Sequence, residues 1–493
     1  MYQRRQIGNA GSRGRVARLL YRSVALCLLA QLITAAGLAQ EDLRERLTER
    51  EDRRRPVEPF SLELGGRPLV LSGEYEVTLD RLDSPGMAGL FDSLLLENAV
   101  EGEAFYSFGP ELSLFAQLRV GTGEELLSAA CADACRVIVE RGETWLHSRP
   151  IDGTPLDLDA GRLHFEDERR WWWDAELDAV RMAYETAAFG IALAVGRELF
   201  SSRLNRDQVD AEQEGVRRLI GEASWDWRRN HAIELFLLYH RDGSWSPPAG
   251  EIVDSARQDA SDARLTWFGA RAIGVLELQA RNLLGYWLDT ALVRGSETLV
   301  DFQSLSPQQS MATAVTRQDV AGWAVDLGVN WILPLALTPR LFASYALGSG
   351  DSAPSGPTDR SFRQSGLQAN ESGFGGVRRF PHYGALLDPE LSNLEVTTLG
   401  AGIALLRSSS LDLVWHRYRL DVPATSLRSA GVETALTGVD RGLGSEADLV
   451  LALEEWERVE FELVSSAFRR GPAFGAEEGA YSYRLFLGAR LAF

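Results

Sequence analysis

The sequence predicts an all-β chain, a transmembrane antiparallel β-barrel of the bacterial outer-membrane type. The first observation is the last segment. Tyr481, Tyr483, Leu485, Leu487, Ala489, Leu491 and Phe493 alternate with Ser482, Arg484, Gly488 and Arg490. A period of two with one unbroken apolar side puts one face in lipid and the other, carrying two arginines, in a polar lumen. Such strands, ending in Phe, close outer-membrane barrels and are read by the barrel insertion machinery. The second is an amino-terminal export signal. The third is that no later stretch is long and apolar enough for a spanning helix, and a membrane protein without one must close its sheet to pair every backbone group.

Along the chain, Arg4, Arg5, Arg13, Arg15, Arg18 and Arg22 precede an apolar run from Val24 to Leu38, with Gly37, Leu38 and Ala39 at a cleavage point. Residues 1–39 read as a signal peptide. Residues 40–58 mix both charges without an apolar stripe and read as a periplasmic lead-in. The barrel is expected over 59–493. Leu69, Leu71, Gly73, Tyr75, Val77 and Leu79 face away from Ser72, Glu74, Glu76, Thr78 and Asp80. The same alternation sets Leu112, Leu114, Ala116, Leu118 and Val120 against Ser113, Gln117 and Arg119. It sets Trp323, Val325, Leu327, Val329 and Trp331 against Asp326, Gly328 and Asn330, and Val459, Phe461 and Leu463 against Glu460 and Glu462. A packed soluble core would not accept so many charges on its inner face. Removing the signal leaves 493 − 39 = 454 residues. At roughly 20–28 residues per strand and turn, they suit about 16–20 strands, and a barrel of that size holds water. Segments around Asp242 to Pro248 and Gly348 to Pro357 carry the glycines and prolines of long loops.

All 51 basic residues are arginine. The net charge of −19 becomes −19 − 6 = −25 once the six signal arginines leave, which argues against nucleic acid as a partner. An anionic solute stays open, because a pore is selected by its local lining. Cys131 and Cys135 are read equally as a loop-closing disulfide or as two free thiols.

One segment is more specific than periodicity. Gly161-Arg162-Leu163-His164-Phe165-Glu166-Asp167-Glu168-Arg169-Arg170-Trp171-Trp172-Trp173-Asp174, followed by Glu176-Leu177-Asp178-Ala179-Val180-Arg181, resembles the strand-and-loop signature of the alginate export protein family. Phe362 to Asn370, Phe380 to Gly384 and Glu390 to Leu394 form a second match, and Leu413 to Arg419 a third. The resemblance implies a barrel of about eighteen strands that lets a secreted anionic or neutral polysaccharide leave the periplasm passively. Outer-membrane lipid and a periplasmic export scaffold are its expected surroundings. It also implies a constriction lined by basic residues, since guanidinium binds carboxylate bidentately.

The expected lining is Arg162, Arg181, Arg378, Arg379, Arg484 and Arg490, joined by Asp388, Glu460 and Glu462. The last three stand where the family carries basic residues. Carboxylates in those places repel a polyuronate, so a neutral or differently charged glycan is an expected alternative. Trp171, Trp172 and Trp173 suit an interfacial girdle or loop packing on one reading, and stacking on sugar faces on another. Arg169 and Arg170, beside Glu166, Asp167 and Glu168, suit a salt-bridge network or a ligand clamp. Arg417 and Arg419 share parity with Leu413 and Trp415, so either the strand leaves the bilayer there or a bulge switches its face. The six histidines lack ligand spacing and no nucleophile or phosphate motif is present. No catalytic residue, cofactor or metal is therefore expected. A small-solute porin, or a barrel serving as scaffold for an enzyme or adhesin, are the competing functions.

Overall fold

Period-two segments pair here as antiparallel hairpins, because lipid offers the backbone no other partner. A computed structural model of the protein describes residues 60–493 apart from 84–92, 126–135, 150–153, 205, 207, 245, 280, 355, 376, 429 and 431–434. The signal-peptide and lead-in expectations, and Cys131 and Cys135, lie outside the described residues.

Twenty-one strands share one sheet, and three of them, Phe60–Leu64, Ile252–Asp254 and Thr358–Asp359, are short accessories. The remaining 21 − 3 = 18 form a closed wall in which every neighbour is antiparallel. Closure joins the two ends of the wall. The last strand, Tyr481–Ala492, runs beside the first, Arg67–Asp83, in the register Glu74↔Ala492, Glu76↔Arg490 and Asp83↔Tyr483. Beyond that ladder Gly73 and Phe493 exchange both backbone hydrogen bonds at 2.8 Å. The Phe493 ring lies where a Cβ on Gly73 would stand, so this seam needs glycine. Closure leaves no sheet edge to template aggregation.

Connections alternate in length. Two-residue turns at 110–111, 229–230 and 457–458 lie at one end of the barrel, and long segments at 198–216, 242–260, 349–393 and 421–441 lie at the other. Short turns are periplasmic in bacterial barrels, which orients the wall. The hairpin Asn282–Ser306 and Gln309–Ile332 is far longer than the ten or so residues that cross a bilayer, so it projects beyond the membrane.

The two faces match the alternation. Trp323, Leu327, Val329 and Trp331 are exposed outward while Ala324 and Asp326 are buried within. Exposed apolar side chains of this kind circle the wall, as a lipid-facing band requires. Arg417 and Arg419 keep the exposed face of Leu413 and Trp415, with Val414, His416 and Tyr418 buried opposite. The ladder shift beside Tyr418 does not switch the face. The strand therefore leaves the bilayer, and these two arginines are not in the lumen.

Candidate conduit

Two connections on the long-loop side fold into the barrel. The shorter, 167–173, begins with an acid that organises it. The Asp167 carboxylate accepts the N–H groups of Trp172 at 2.7 Å and Trp173 at 3.0 Å and pairs with Arg271 at 2.6 Å. Arg169 then reaches the wall, pairing with Asp289 and, at 3.3 Å, with Asp326, its guanidinium 4.5 Å over the Trp287 ring. Buried guanidinium–carboxylate contacts hold the loop because either partner alone would be an uncompensated charge. Arg170 turns back to Glu166 at 2.6 Å. The charged run is thus a salt-bridge network.

The tryptophans are buried inside the barrel, which corrects the girdle expectation and bears out loop packing. Trp172 stacks on Phe236 at 4.9 Å, and Trp171 stacks on Phe362 at 6.3 Å and donates to the Tyr383 hydroxyl at 2.7 Å. Leu163, Phe165 and Leu177 pack in the same cluster.

The longer connection, 349–393, seats on the first. The N–H groups of Ala369 and Asn370 donate to the Arg170 carbonyl at 3.1 and 3.0 Å, and Ser365 donates to that of Trp172. A small hairpin, Glu371–Phe374 with Val377–Pro381, carries Phe374 and Phe380 against Val414, Val450 and Val464 of the wall. After it the chain is latched. Leu386 and Leu387 donate to the Glu446 carboxylate at 2.7 and 3.0 Å, Tyr418 donates to the Tyr383 carbonyl at 2.8 Å, and Arg484 donates to that of Ala385. Burial and the nearby Arg169 push His382 down to about 3, so it holds its place as a neutral ring. The segments that are most distinctive in the sequence are therefore those that fill the lumen.

Further charged side chains lie beside these inserts. Arg484 pairs with Asp80 at 2.8 Å. Arg379, half-exposed at 52 %, pairs with Glu371 at 3.1 Å and lies 3.6 Å from Asp174. Asp388 lies beside them at a φ of 34°, open to solvent on one side but enclosed by protein on the others, and without an ion pair among the described residues. Burial, then Glu371 and Glu446, push its carboxyl up to about 6 against the pull of Arg484. At the periplasmic mouth Arg490 sits among Glu74 at 2.8 Å, Glu76 at 2.9 Å and Glu460 at 3.3 Å, and the Glu462 side chain lies under Gly488.

Of the expected lining, the structure gathers Arg379, Asp388 and Arg484 at the waist and Arg490, Glu460 and Glu462 at the mouth. Arg162 is buried on Glu176 at 2.8 Å, and Arg181 bridges Asp159 at 3.3 Å and Glu185 at 3.4 Å. The Arg378 side chain lies outside the described residues. Sequence reasoning missed Glu101 and Glu103, which share Gln117 at 2.8 and 3.2 Å. Their parity within Ser93–Gly109 was the available signal. It also missed a seam. Above Thr144 the strand Arg136–Ser148 parts from Leu156–Glu166 and bonds instead to Ser202 and Leu204, while Arg141 crosses to Asp178 with two contacts of 2.8 Å.

One acidic cluster lies outside the lumen. Asp242, Asp259 and Asp262 bring carboxylate oxygens within 4.8 Å of one another, with the Ser244 hydroxyl among them, within reach of all three as a donor.

A family model described as Alginate export matches residues 133–487. Over 312 residues the chain is 25% identical to the alginate production protein AlgE of Pseudomonas aeruginosa, covering 63% of this chain and 62% of that protein. Over 319 residues it is 24% identical to AlgE of Pseudomonas syringae pv. tomato, covering 61% of each. The chain thus matches less than two thirds of the length of these relatives. Among solved structures, Pseudomonas aeruginosa OpdK with vanillate superposes with a TM-score of 0.52 at 10% identity, covering 86% of this chain and 99% of that one. Pseudomonas aeruginosa OccK3 superposes at 0.51 and 11%, covering 86% and 95%. These two likenesses are of fold.

Proposed function

Since the chain belongs to the alginate export family, we propose that this outer-membrane β-barrel is a channel through which a secreted polysaccharide leaves the periplasm passively, past a charged constriction. An enzyme built on the barrel is not what the family or the fold describes. The observation that supports the reading is the closed eighteen-strand wall whose long connection brings Arg379 and Asp388 near Arg484. A guanidinium already engaged by a carboxylate exchanges that partner for a sugar oxygen at little cost, and several such weak sites in series let a chain enter without being trapped. Movement then needs only the concentration difference set by synthesis inside.

Planar-bilayer recording on the purified full chain tests this. Discrete conductance steps are expected, with transient block by sugar oligomers added on the periplasmic side. A silent bilayer refutes the channel. The narrowing by 349–393 favours a second reading, a small-solute porin, which predicts that only mono- and disaccharides change the current.

A further inference from the structure

A row of arginines marks the outer face of one side of the wall. Arg217 and Arg241 stand directly opposite one another on adjacent strands, and so do Arg241 and Arg264. The pairing of Gly196 with Arg218 brings Arg197 beside Arg217, and Arg294 faces Thr266, two residues from Arg264. Five neighbouring strands thus present five guanidiniums at one level, all at exposed positions. None of the five has an ion pair or a side-chain hydrogen bond among the described residues. The carboxylates beside the row do not serve it. Asp178, opposite Arg197, holds Arg141, and Asp262, two residues from Arg264, accepts from Ser244. Asp319, across from Ser296, pairs with none of the five. Like charges directly opposed across strands destabilise a sheet, so the row calls for an anion that the described residues do not supply.

The level of the row says where that anion lies. The strand Arg217–Arg228 has 12 residues and His231–Arg241 has 11, close to the roughly 9–11 that cross a bilayer. Arg217 and Arg241 are their ends on the long-loop side, which is the outer surface of the membrane. Toward the bilayer centre, on the same face, Val195, Leu219, Phe268 and Leu292 are exposed apolar side chains. The guanidiniums therefore stand at the level of lipid head groups, above a strip suited to acyl chains. A guanidinium keeps its charge and grips phosphate oxygens bidentately.

We propose that this row binds the phosphate groups of an outer-leaflet glycolipid, which neutralise the opposed arginines while its acyl chains lie along the apolar strip. The site is on the outside of the barrel and does not depend on what the conduit carries.

The test is equilibrium retention of radiolabelled lipid on the purified full chain in detergent, with diphosphorylated lipid A or the same lipid stripped of its phosphates as the probe. Retention should favour the phosphorylated lipid and weaken as salt screens the exposed charges. In Arg217→Gln/Arg241→Gln/Arg264→Gln the preference should drop by about two powers of ten, each cation being worth roughly fivefold at a head-group surface. Lysine at the same three positions should restore most of it. Equal retention of the two lipids by the unaltered chain overturns the proposal, whether or not the variants fold. Displacement by inorganic phosphate at a concentration equal to that of the lipid overturns the choice of a lipid. An equal loss in Arg417→Gln/Arg419→Gln, exposed arginines elsewhere on the wall, overturns the assignment to this row. So does an unchanged preference in a triple glutamine variant whose barrel still shows heat-modifiable gel migration.

Discussion

Replacing Gly269 by alanine should unseat the 167–173 loop, because the indole of Trp172 occupies the position that a Cβ would take there. Gly269 is on the inner face of Ser261–Gln279, between Trp267 and Arg271, and its backbone is ordinary strand, so alanine itself is no strain. The new methyl also comes 2.7 Å from the Thr290 carbonyl, so the neighbouring backbone must shift as well. The larger effect is on Trp172, only 2 % exposed and stacked on Phe236. An indole buries roughly 150–250 Å², which at about 25 cal/mol per Å² is worth about 4–6 kcal/mol of docking. At about 1.4 kcal/mol per tenfold, the docked population should fall by roughly three to four powers of ten. Larger single-channel conductance and greater acrylamide quenching of tryptophan fluorescence are the readouts. Phe268→Ala, one residue along but on the lipid face, should change neither. In a Trp172→Ala background the Gly269→Ala effect should vanish, since the two changes act on one contact. Unaltered conductance and quenching in Gly269→Ala, or simple additivity in the double variant, would refute the reasoning.

Two other perturbations follow. Glu446→Leu strips the acceptor from Leu386 and Leu387, leaving two buried N–H groups unsatisfied at about 1–3 kcal/mol each. Hydrogen exchange at 385–388 should accelerate by at least tenfold, and unchanged protection would show that the latch lies elsewhere. Asp388 holds its proton up to about 6, above the ordinary carboxyl value near 4, because burial and then Glu371 and Glu446 oppose its charge while Arg484 favours it. The folded chain therefore binds this proton before the unfolded chain does, so acidification through pH 6 stabilises here, and the stability is lost again as pH rises through that value. The same step removes a negative charge from the waist. The cation-to-anion permeability ratio should therefore change as pH falls through about 6, and the change should be smaller in Asp388→Asn; an identical profile in the variant would exclude Asp388 as a contributor.

The wall was legible because lipid and lumen impose a period of two that nothing else in the sequence mimics. Parity alone placed Arg484 and Arg490 inward, and the closing of the last strand on the first follows from having no other edge to pair. The inserts were not legible. Residues 349–393 have no periodicity, and what seats the 167–173 loop is contact between residues far apart in sequence, such as Arg169 with Asp289 and Trp172 with Phe236. The three tryptophans illustrate the difficulty. At a strand end they look like a girdle, and only the Asp167 carboxylate collecting two of their N–H groups turns the loop inward. Parity gives the face of an arginine on a strand but not its state. Sequence shows a guanidinium facing a lumen but not that Asp80, 404 residues from Arg484, has already engaged it.

That last point separates what a family settles from what a lining settles. The wall and the inserts are built from contacts that the family motifs carry, including Trp171 on Phe362 and Gln364 with Asn370. The charges of the proposed lining lie between those motifs, at Asp388 in the long connection and at Glu460, Glu462, Glu101 and Glu103 on strands whose parity is constrained but whose side chains are not. Exchanging a cation for a carboxylate at such a position leaves the period of two, the closure and the inserts untouched. A barrel can therefore keep its architecture while the sign of its passage reverses, and the lining must be measured even where the fold and the family are plain.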